Sequence, residues 1–400
     1  QFYDLANDLE RQVVHDLPPD VCDRVLPIVA RVRQRIDRLF QLVPGTRGRF
    51  YLFDMVGEIG VDAWRLELDA VGSACNALSK ELDALEAYGE SWRAAGKRVA
   101  DVQERLRDIG LAVCGDQFQD NVYWYEKRER NVVLSASPVE VAGHLQAHLY
   151  EQVEVCIMTS ATLSSGGTFD YIRDRLGLTV ATQYWQFQSP FDYAQKTLLY
   201  VVEDGFPEPS QREFSPAACQ RIFQLLQYSR GRALVLCTSY SSMDMIAEFL
   251  EPALDYPLLV QGRGSRQSLL QRFREDKSSV LLAVASFWEG VDIVGEALSC
   301  VIIDKLPFEV PTDPVIQARI ARIKEEGGNP FYSFQVPRAI LALRQGVGRL
   351  MRSAGDSGLI ALLDVRLFSK SYGAKFLRSL PPSPCTRDIA DVENFFQSRD

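Results

Sequence analysis

Between Thr197 and Leu363, short runs of Val, Leu, Ile and Ala alternate with segments of helical periodicity, and this alternation narrows the fold more than any other feature of the chain. The runs are Thr197–Val202, Ala233–Cys237, Leu258–Gln261, Val280–Ala285, Cys300–Asp304 and Leu359–Leu363. The helical patterns between them include Ser215–Tyr228, Ser242–Glu251 and Ser265–Arg274. Strands that are apolar along their whole length are buried on both faces, and parallel strands need long, right-handed crossovers. The alternation therefore predicts an α/β fold with a mostly parallel sheet and helices on both faces.

The chain ahead of this region reads differently. From Asp20 to Val43, residues Val21, Val25, Ile28, Val29, Val32 and Ile36 recur at helical spacing behind Pro18 and Pro19. A second helical tract spans Asp62 to Ile109, with breaks expected near Gly89 and Gly96. From Asn121 the pattern changes to strands over Val122–Tyr125 and Asn131–Leu134, a helix after Pro138, and a strand over Val153–Met158 that ends in Thr159-Ser160-Ala161-Thr162. No internal repeat or low-complexity tract is present.

Length and charge bound the function. Four hundred residues are enough for two or three domains with substantial cores, and 46% apolar with 24% charged residues excludes global disorder. A net charge of −9 argues against a chain basic all over that coats duplex DNA or anionic membrane, while leaving room for a local basic groove. The cysteines, at 22, 75, 114, 156, 219, 237, 300 and 385, form no C-x-x-C pair, so neither a zinc site nor an iron-sulfur ligand set is expected. Buried thiols in a reducing cytoplasm are the plain reading. No apolar stretch is long enough for a membrane span and no signal peptide is evident. His144 and His148 are spaced i, i+4 without the H-E-x-x-H pattern, and His15 stands apart, so no metal set is expected.

The most informative stretch is Gln345-Gly346-Val347-Gly348-Arg349-Leu350-Met351-Arg352. On a helix, Gln345, Arg349 and Arg352 share a face that suits a phosphate, and keeping Gly346 and Gly348 there points to close backbone approach. A solvated basic helix that tolerates its glycines is the alternative.

This octet resembles motif VI, Q-x-x-G-R-x-x-R, of superfamily 2 helicases. Ala285 to Asp292 resembles motif V of the XPD and DinG branch, and Asp304-Lys305-Leu306-Pro307-Phe308 followed by Pro311, Asp313 and Pro314 resembles a further stretch of DinG/YoaA-like proteins. Thr159 to Leu163 is similar to their motif III, and Leu234 to Ser241 to their motif IV. The resemblance implies the C-terminal portion of a DinG/YoaA-like, XPD-family DNA helicase that moves 5′ to 3′ on single-stranded DNA. Residues 1–118 would form a helical arch-like subdomain, 119–190 a returning segment of the first motor domain with motif III, and 191–400 the second RecA-like motor domain.

The same resemblance implies roles. Arg349 and Arg352 would be arginine fingers that stabilise charge on the transferring phosphoryl group, with Gln345 positioning nucleotide or water. Glu289, Gly290, Asp292, Gly348, Thr159 and Thr162 would bind ATP or couple its state. On spacing alone, Glu289 to Asp292 reads rather as a turn with an N-capping Asp, and Thr159 to Thr162 as a capped strand end; the resemblance reverses the first of these. DNA contacts fall to Thr238, Ser239, Tyr240 and Ser241 at a helix start, to Arg263 and Arg266, and to Phe287 and Trp288 as base-stacking rings. N-capping, a solvated loop and plain core packing are the respective alternatives. Asp364 and Arg366, where the family also carries an acid and an arginine, read as an ion pair.

No G-x-x-x-x-G-K-[ST] and no D-E-x-H occurs. The expectation is a chain starting after those motifs, inactive alone, whose partner is the missing N-terminal motor domain. That part would supply the ligands for Mg²⁺ on ATP and, in many relatives, a 4Fe-4S cluster. The tail, with Ile389, Val392 and Phe396 on one face beside Phe395, is read either as a docking peptide, for which the resemblance implies a clamp-loader accessory subunit, or as a helix packing back on its own domain. A non-catalytic nucleic-acid-binding or partner-binding module derived from a helicase is the alternative for the whole chain.

Overall fold

The computed structural model describes residues 1–45, 48–115, 120–128, 131–284, 287, 297–309 and 312–399. They form two compact units, one drawn from Gln1–Glu140 and Val310–Glu326, the other from Val141–Glu309 and Gly327–Asp400.

The first unit is mainly helical. Its long helices are Phe2–Asp16, Pro19–Gln41, Val61–Asp83 and Glu90–Ala112. Pro18 is extended and Pro19 opens the second helix, the position where a missing N–H costs nothing. The periodic residues Val21, Val25, Val29, Val32 and Ile36 are all buried and meet Trp64, Leu78, Leu82 and Trp92 in one core. The break at Gly89 is real, with φ at 142°. The break expected at Gly96 is not, because this glycine lies inside the helix Glu90–Ala112 and is buried. A Cβ there would stand 2.7 Å from Asp83 Oδ1, and Ser79 Oγ donates to the Gly96 carbonyl at 3.1 Å, so the residue sets a close helix–helix approach.

A three-stranded antiparallel sheet completes this unit: β1 (Gly48–Tyr51), β2 (Asn121–Lys127) and β3 (Val132–Pro138), in that order. The helix Pro314–Glu325 also belongs to it. Asp313 caps that helix through Val315 N at 3.0 Å, Tyr51 donates to the Pro314 carbonyl at 2.9 Å, and Arg49 pairs with Asp313 at 3.2 Å.

The second unit holds a seven-stranded sheet of order β10-β4-β9-β8-β5-β7-β6. Its strands are β4 (Thr197–Val201), β5 (Ala233–Leu236), β6 (Leu258–Val260), β7 (Val280–Ala283), β8 (Cys300–Ile303), β9 (Gly358–Leu362) and β10 (Cys385–Thr386). Every pairing is parallel. Each expected strand from Thr197 onward forms within a residue or two of its predicted ends, and the α/β class holds.

Alternate residues of each strand feed opposite cores. Leu234, Leu281, Val301 and Ile360 pack with Ile340, Leu343 and Phe273 on one side, while Val235, Leu282, Ile302 and Ala361 pack with Ile222, Leu226 and Ile246 on the other. The two cores explain why these strands read as continuous apolar runs.

Candidate functional site

Two clusters of motif residues lie at opposite edges of the parallel sheet. The first is the turn carrying Arg349. The helix Val336–Val347 buries Val336, Ala339, Ile340, Leu343 and Val347 against the sheet, which leaves Arg344 and Gln345 half-buried on its other side. It ends at Val347, with Gly348 as C-cap and the Gly348 amide donating to the Arg344 carbonyl at 2.9 Å.

The expected helical face of Gln345, Arg349 and Arg352 therefore does not form. Only Gln345 is on the helix; Arg349 stands in a tight turn and Arg352 in the bend after it. The glycines weaken the helix at this point, and Asp356 captures the chain beyond it. Its carboxylate accepts from the amides of Arg352 and Ser353, both at 2.7 Å, and from Ser353 Oγ at 2.8 Å. Leu350 and Met351 are buried beneath the turn. A Cβ on Gly358, the first residue of β9, would lie 2.9 Å from Leu350 Cδ1, which puts the turn at the edge where the strands begin. Arg349 and Arg352 are half-buried there.

Beside this turn runs the segment 153–164. The strand expected over Val153–Met158 is absent: among the described residues nothing pairs with it, and a parallel strand is stable only between hydrogen-bonded neighbours. Val155 is 73% and Ile157 86% exposed, and Trp185 and Phe187 are exposed as well. Thr159 is exposed and Thr162 half-buried, with Thr162 N donating to Ser160 Oγ at 3.2 Å. Arg344 reaches this segment directly. Its Nη1 donates to the Ser164 carbonyl at 2.6 Å and its Nη2 to the Ala161 carbonyl at 2.9 Å.

The second cluster occupies the edge where the strands end. The loop after β5 leads into the helix Tyr240–Leu250, with Ser239 as N-cap accepting from Ser242 N at 3.1 Å. The loop after β6 leads into the helix Arg266–Glu275, capped by Ser265 through Ser268 N at 3.2 Å. Gln261 ties the two together: its Nε2 donates to the Tyr240 hydroxyl at 3.1 Å and its Oε1 accepts from Val284 N at 2.9 Å. Tyr240 and Ser241 are exposed, Thr238 and Ser239 half-buried, and Thr238 Oγ1 is buried without a hydrogen-bond partner. Arg263 pairs with Glu251.

Phe287, expected as a stacking ring, is only 2% exposed, and the Arg266 guanidinium lies 5.1 Å from its centroid. Its ring is core, and one face is taken by the cation. Trp288, Glu289, Gly290 and Asp292 lie outside the described residues.

The residues that organise this edge are two buried acids that sequence reasoning did not nominate as site residues. Asp304, directly after β8, is fully buried and accepts from Thr238 N at 3.1 Å, Lys305 N at 2.8 Å and Ser242 Oγ at 2.7 Å. Burial pushes its carboxyl up to about 6, against the pull of those donors. Asp364, beyond β9, accepts from Leu306 N at 2.8 Å and pairs with Arg366 at 2.6 Å. An acid following an apolar strand at its carboxyl end was the available signal.

The tail helix Ile389–Gln397 buries Val392 and Phe396 in the core of the second unit, so the face offered to a partner is occupied internally. His144 and His148 are exposed with stacked rings 6.3 Å apart. Among the described residues no group of His, Cys, Asp or Glu is arranged to hold a metal, and no helix is long and apolar enough to cross a membrane.

The helicase C-terminal domain family matches residues 222–383. The ATP-dependent DNA helicase YoaA of Haemophilus influenzae is 42% identical over 333 residues, 82% of this chain and 52% of its own length. YoaA of Escherichia coli strain K12 is 40% identical over 273 residues, 68% of this chain and 43% of its own length. The chain thus spans about half the length of these relatives. A solved structure of an XPD helicase superposes with a TM-score of 0.56 at 15% identity, covering 94% of this chain and 63% of that one, which shows a shared fold. Residues 222–383 thus match a helicase C-terminal domain, most of the chain is similar to about half of the YoaA helicases, and its fold is that of an XPD helicase, the features of a DinG/YoaA-like helicase C-terminal portion.

Proposed function

We propose that this chain is the trigger half of an ATP-dependent 5′-3′ DNA helicase. At the edge where the strands begin, Gln345, Arg349 and Arg352 complete a nucleotide site whose phosphate loop and Mg²⁺ ligands another segment supplies. Arg349 and Arg352 stabilise charge as the γ-phosphoryl leaves, Gln345 orients nucleotide or water, Gly348 lets the turn form beside them, and Thr159 and Thr162 report nucleotide state. The motif V residues Glu289, Gly290 and Asp292 contribute to the same coupling. By itself the chain hydrolyses no ATP, since it carries no phosphate loop.

At the opposite edge, single-stranded DNA runs across Thr238, Ser239, Tyr240 and Ser241 and past Arg263 and Arg266. The observation that carries this reading is the pair of helix N-termini, capped by Ser239 and Ser265, that follow β5 and β6 at the same end of the sheet, with Gln261 directly after β6 donating to the Tyr240 hydroxyl. Backbone N–H groups at two helix starts on one end of the sheet suit phosphates of one strand. The Tyr240 ring, fixed by its hydroxyl and open to solvent, suits a base. The exposed apolar row Val153, Val155 and Ile157, with Trp185 and Phe187, is the seam that the other motor half covers.

The test joins this chain to the phosphate-loop segment of a DinG/YoaA-like relative and measures DNA-stimulated ATP hydrolysis. Activity restored by pairing and abolished by Arg349→Ala, with the melting temperature unchanged, supports the helicase. Salt-sensitive binding to single strands with no ATPase under any pairing would make the chain a binding module instead.

A further inference from the structure

Arg344 lies outside the motif residues, yet it is the junction of the first cluster. Its backbone carbonyl accepts from Gly348 N at 2.9 Å and so closes the turn that carries Arg349. Its guanidinium crosses to the segment 161–164, donating to the Ser164 carbonyl at 2.6 Å, Ser164 Oγ at 3.1 Å and the Ala161 carbonyl at 2.9 Å. Ser164 is itself buried, so this end of the segment is fixed, while the residues before it, through Ser160, are exposed.

The choice of partners is unusual for a cation. Burial holds the Arg344 guanidinium below its ordinary pKa, and these three bonds go to neutral oxygens rather than to a carboxylate. Only a planar fork spans two carbonyls three residues apart; a lysine reaches one. The contact thus trades ionic strength for geometry. Carbonyls are parts of the backbone, so what Arg344 fixes is the path of the main chain between Ala161 and Ser164.

We propose that Arg344 is a positioning residue that seats the segment Thr159–Ser164 on the turn bearing Arg349, so that a shift of either is transmitted to the other. This rests on the helicase reading above, in which Thr159 and Thr162 sense nucleotide state and Arg349 acts on the phosphate. Arg344 touches neither substrate; it sets the spacing between the two elements that do.

Two measurements test it. In the 400-residue chain, hydrogen exchange at the Thr162 and Ser165 amides should quicken about tenfold in Arg344→Ala, with Arg344→Lys intermediate and exchange in β5 and β8 unchanged. In the intact helicase, Arg344→Ala should lower DNA-stimulated kcat about tenfold or more while KM for ATP and DNA-free turnover stay within about twofold. Unchanged exchange overturns the proposal, because the segment is then seated by something else. Faster exchange with unchanged kcat also overturns it, since the contact is then structural only. So does a joint fall of kcat, nucleotide affinity and melting temperature, which marks general loss of structure. Normal turnover in Arg349→Ala would remove the helicase reading and this proposal with it. Loss of turnover in Arg349→Ala alongside full activity in Arg344→Ala would remove the positioning role of Arg344 alone.

Discussion

The loop after β5 and the segment 153–164 are both motif-bearing stretches of the second unit, yet they are ordered by opposite means. The first is fastened from within: Asp304 receives two main-chain amides and a hydroxyl, and Gln261 pins the neighbouring helix start. The second exposes its apolar side chains and is tied at its far end by Arg344. A loop that keeps its shape alone suits a strand-gripping surface, which must be ready before DNA arrives. A segment fixed at one end and open along its length suits an element whose partner arrives from outside, because each unburied Val or Ile leaves about 1.5–3 kcal/mol of burial to be gained on contact.

The sharpest break of this contrast is chemical. In the intact helicase, Arg349→Ala should cut DNA-stimulated ATP turnover by about 10³ to 10⁵ and leave single-strand affinity at the other edge nearly unchanged, measured by steady-state hydrolysis and by fluorescence anisotropy. Next comes the internal fastening. Asp304→Ala strands two buried amides and should destabilise the chain by roughly 2 to 4 kcal/mol in urea unfolding. Below about pH 4, where the wild-type carboxyl is protonated, Asp304→Asn should stay close to wild type, since its amide oxygen can accept from Thr238 N and Lys305 N while its NH₂ donates to Ser242 Oγ.

The same pair of variants yields a pH signature. Asp304 titrates at about 6 in the fold against an ordinary 3.8, so the folded state holds the proton more tightly. Its contribution to stability is fully present below about pH 3.8 and is lost as pH rises through about 6. Stability of the wild type relative to Asp304→Asn should therefore fall between about pH 4 and 6 and level off above, as followed by unfolding at a series of pH values. The smallest effect belongs to the open segment. Ile157→Ser, at a side chain 86% exposed, should change the stability of this chain by no more than about 0.5 kcal/mol, yet weaken association with the other motor half measured by calorimetry.

How much of this the sequence reveals depends on where the ordering forces come from. The strands from Thr197 to Leu362 were legible because burial on both faces imposes an apolar run that any reading can find. β1 and β10 were not, being short and carrying residues such as Arg49 and Thr386 that no periodicity marks. Val153–Met158 has the composition of a strand but lacks neighbours among the described residues, and composition cannot report what pairs with it. The octet from Gln345 was recognisable as a motif, whereas its shape was not. Spacing favoured continuation to Arg352, whereas Gly346 and Gly348 weaken the helix and Asp356, four residues beyond Arg352, takes three donors from the chain past its end. Asp304 opens the stretch Asp304-Lys305-Leu306-Pro307-Phe308, but its weight comes from burial and from Ser242 on a distant helix, which is tertiary information.

That early stop at Val347 has a mechanical meaning. A guanidinium riding on a rod can be aimed only by tilting the whole rod against its bed of packed side chains. One mounted on a short backbone turn, with Leu350 buried below and Asp356 hydrogen-bonded beyond, needs only a few peptide torsions to change its aim, and the bed need not move.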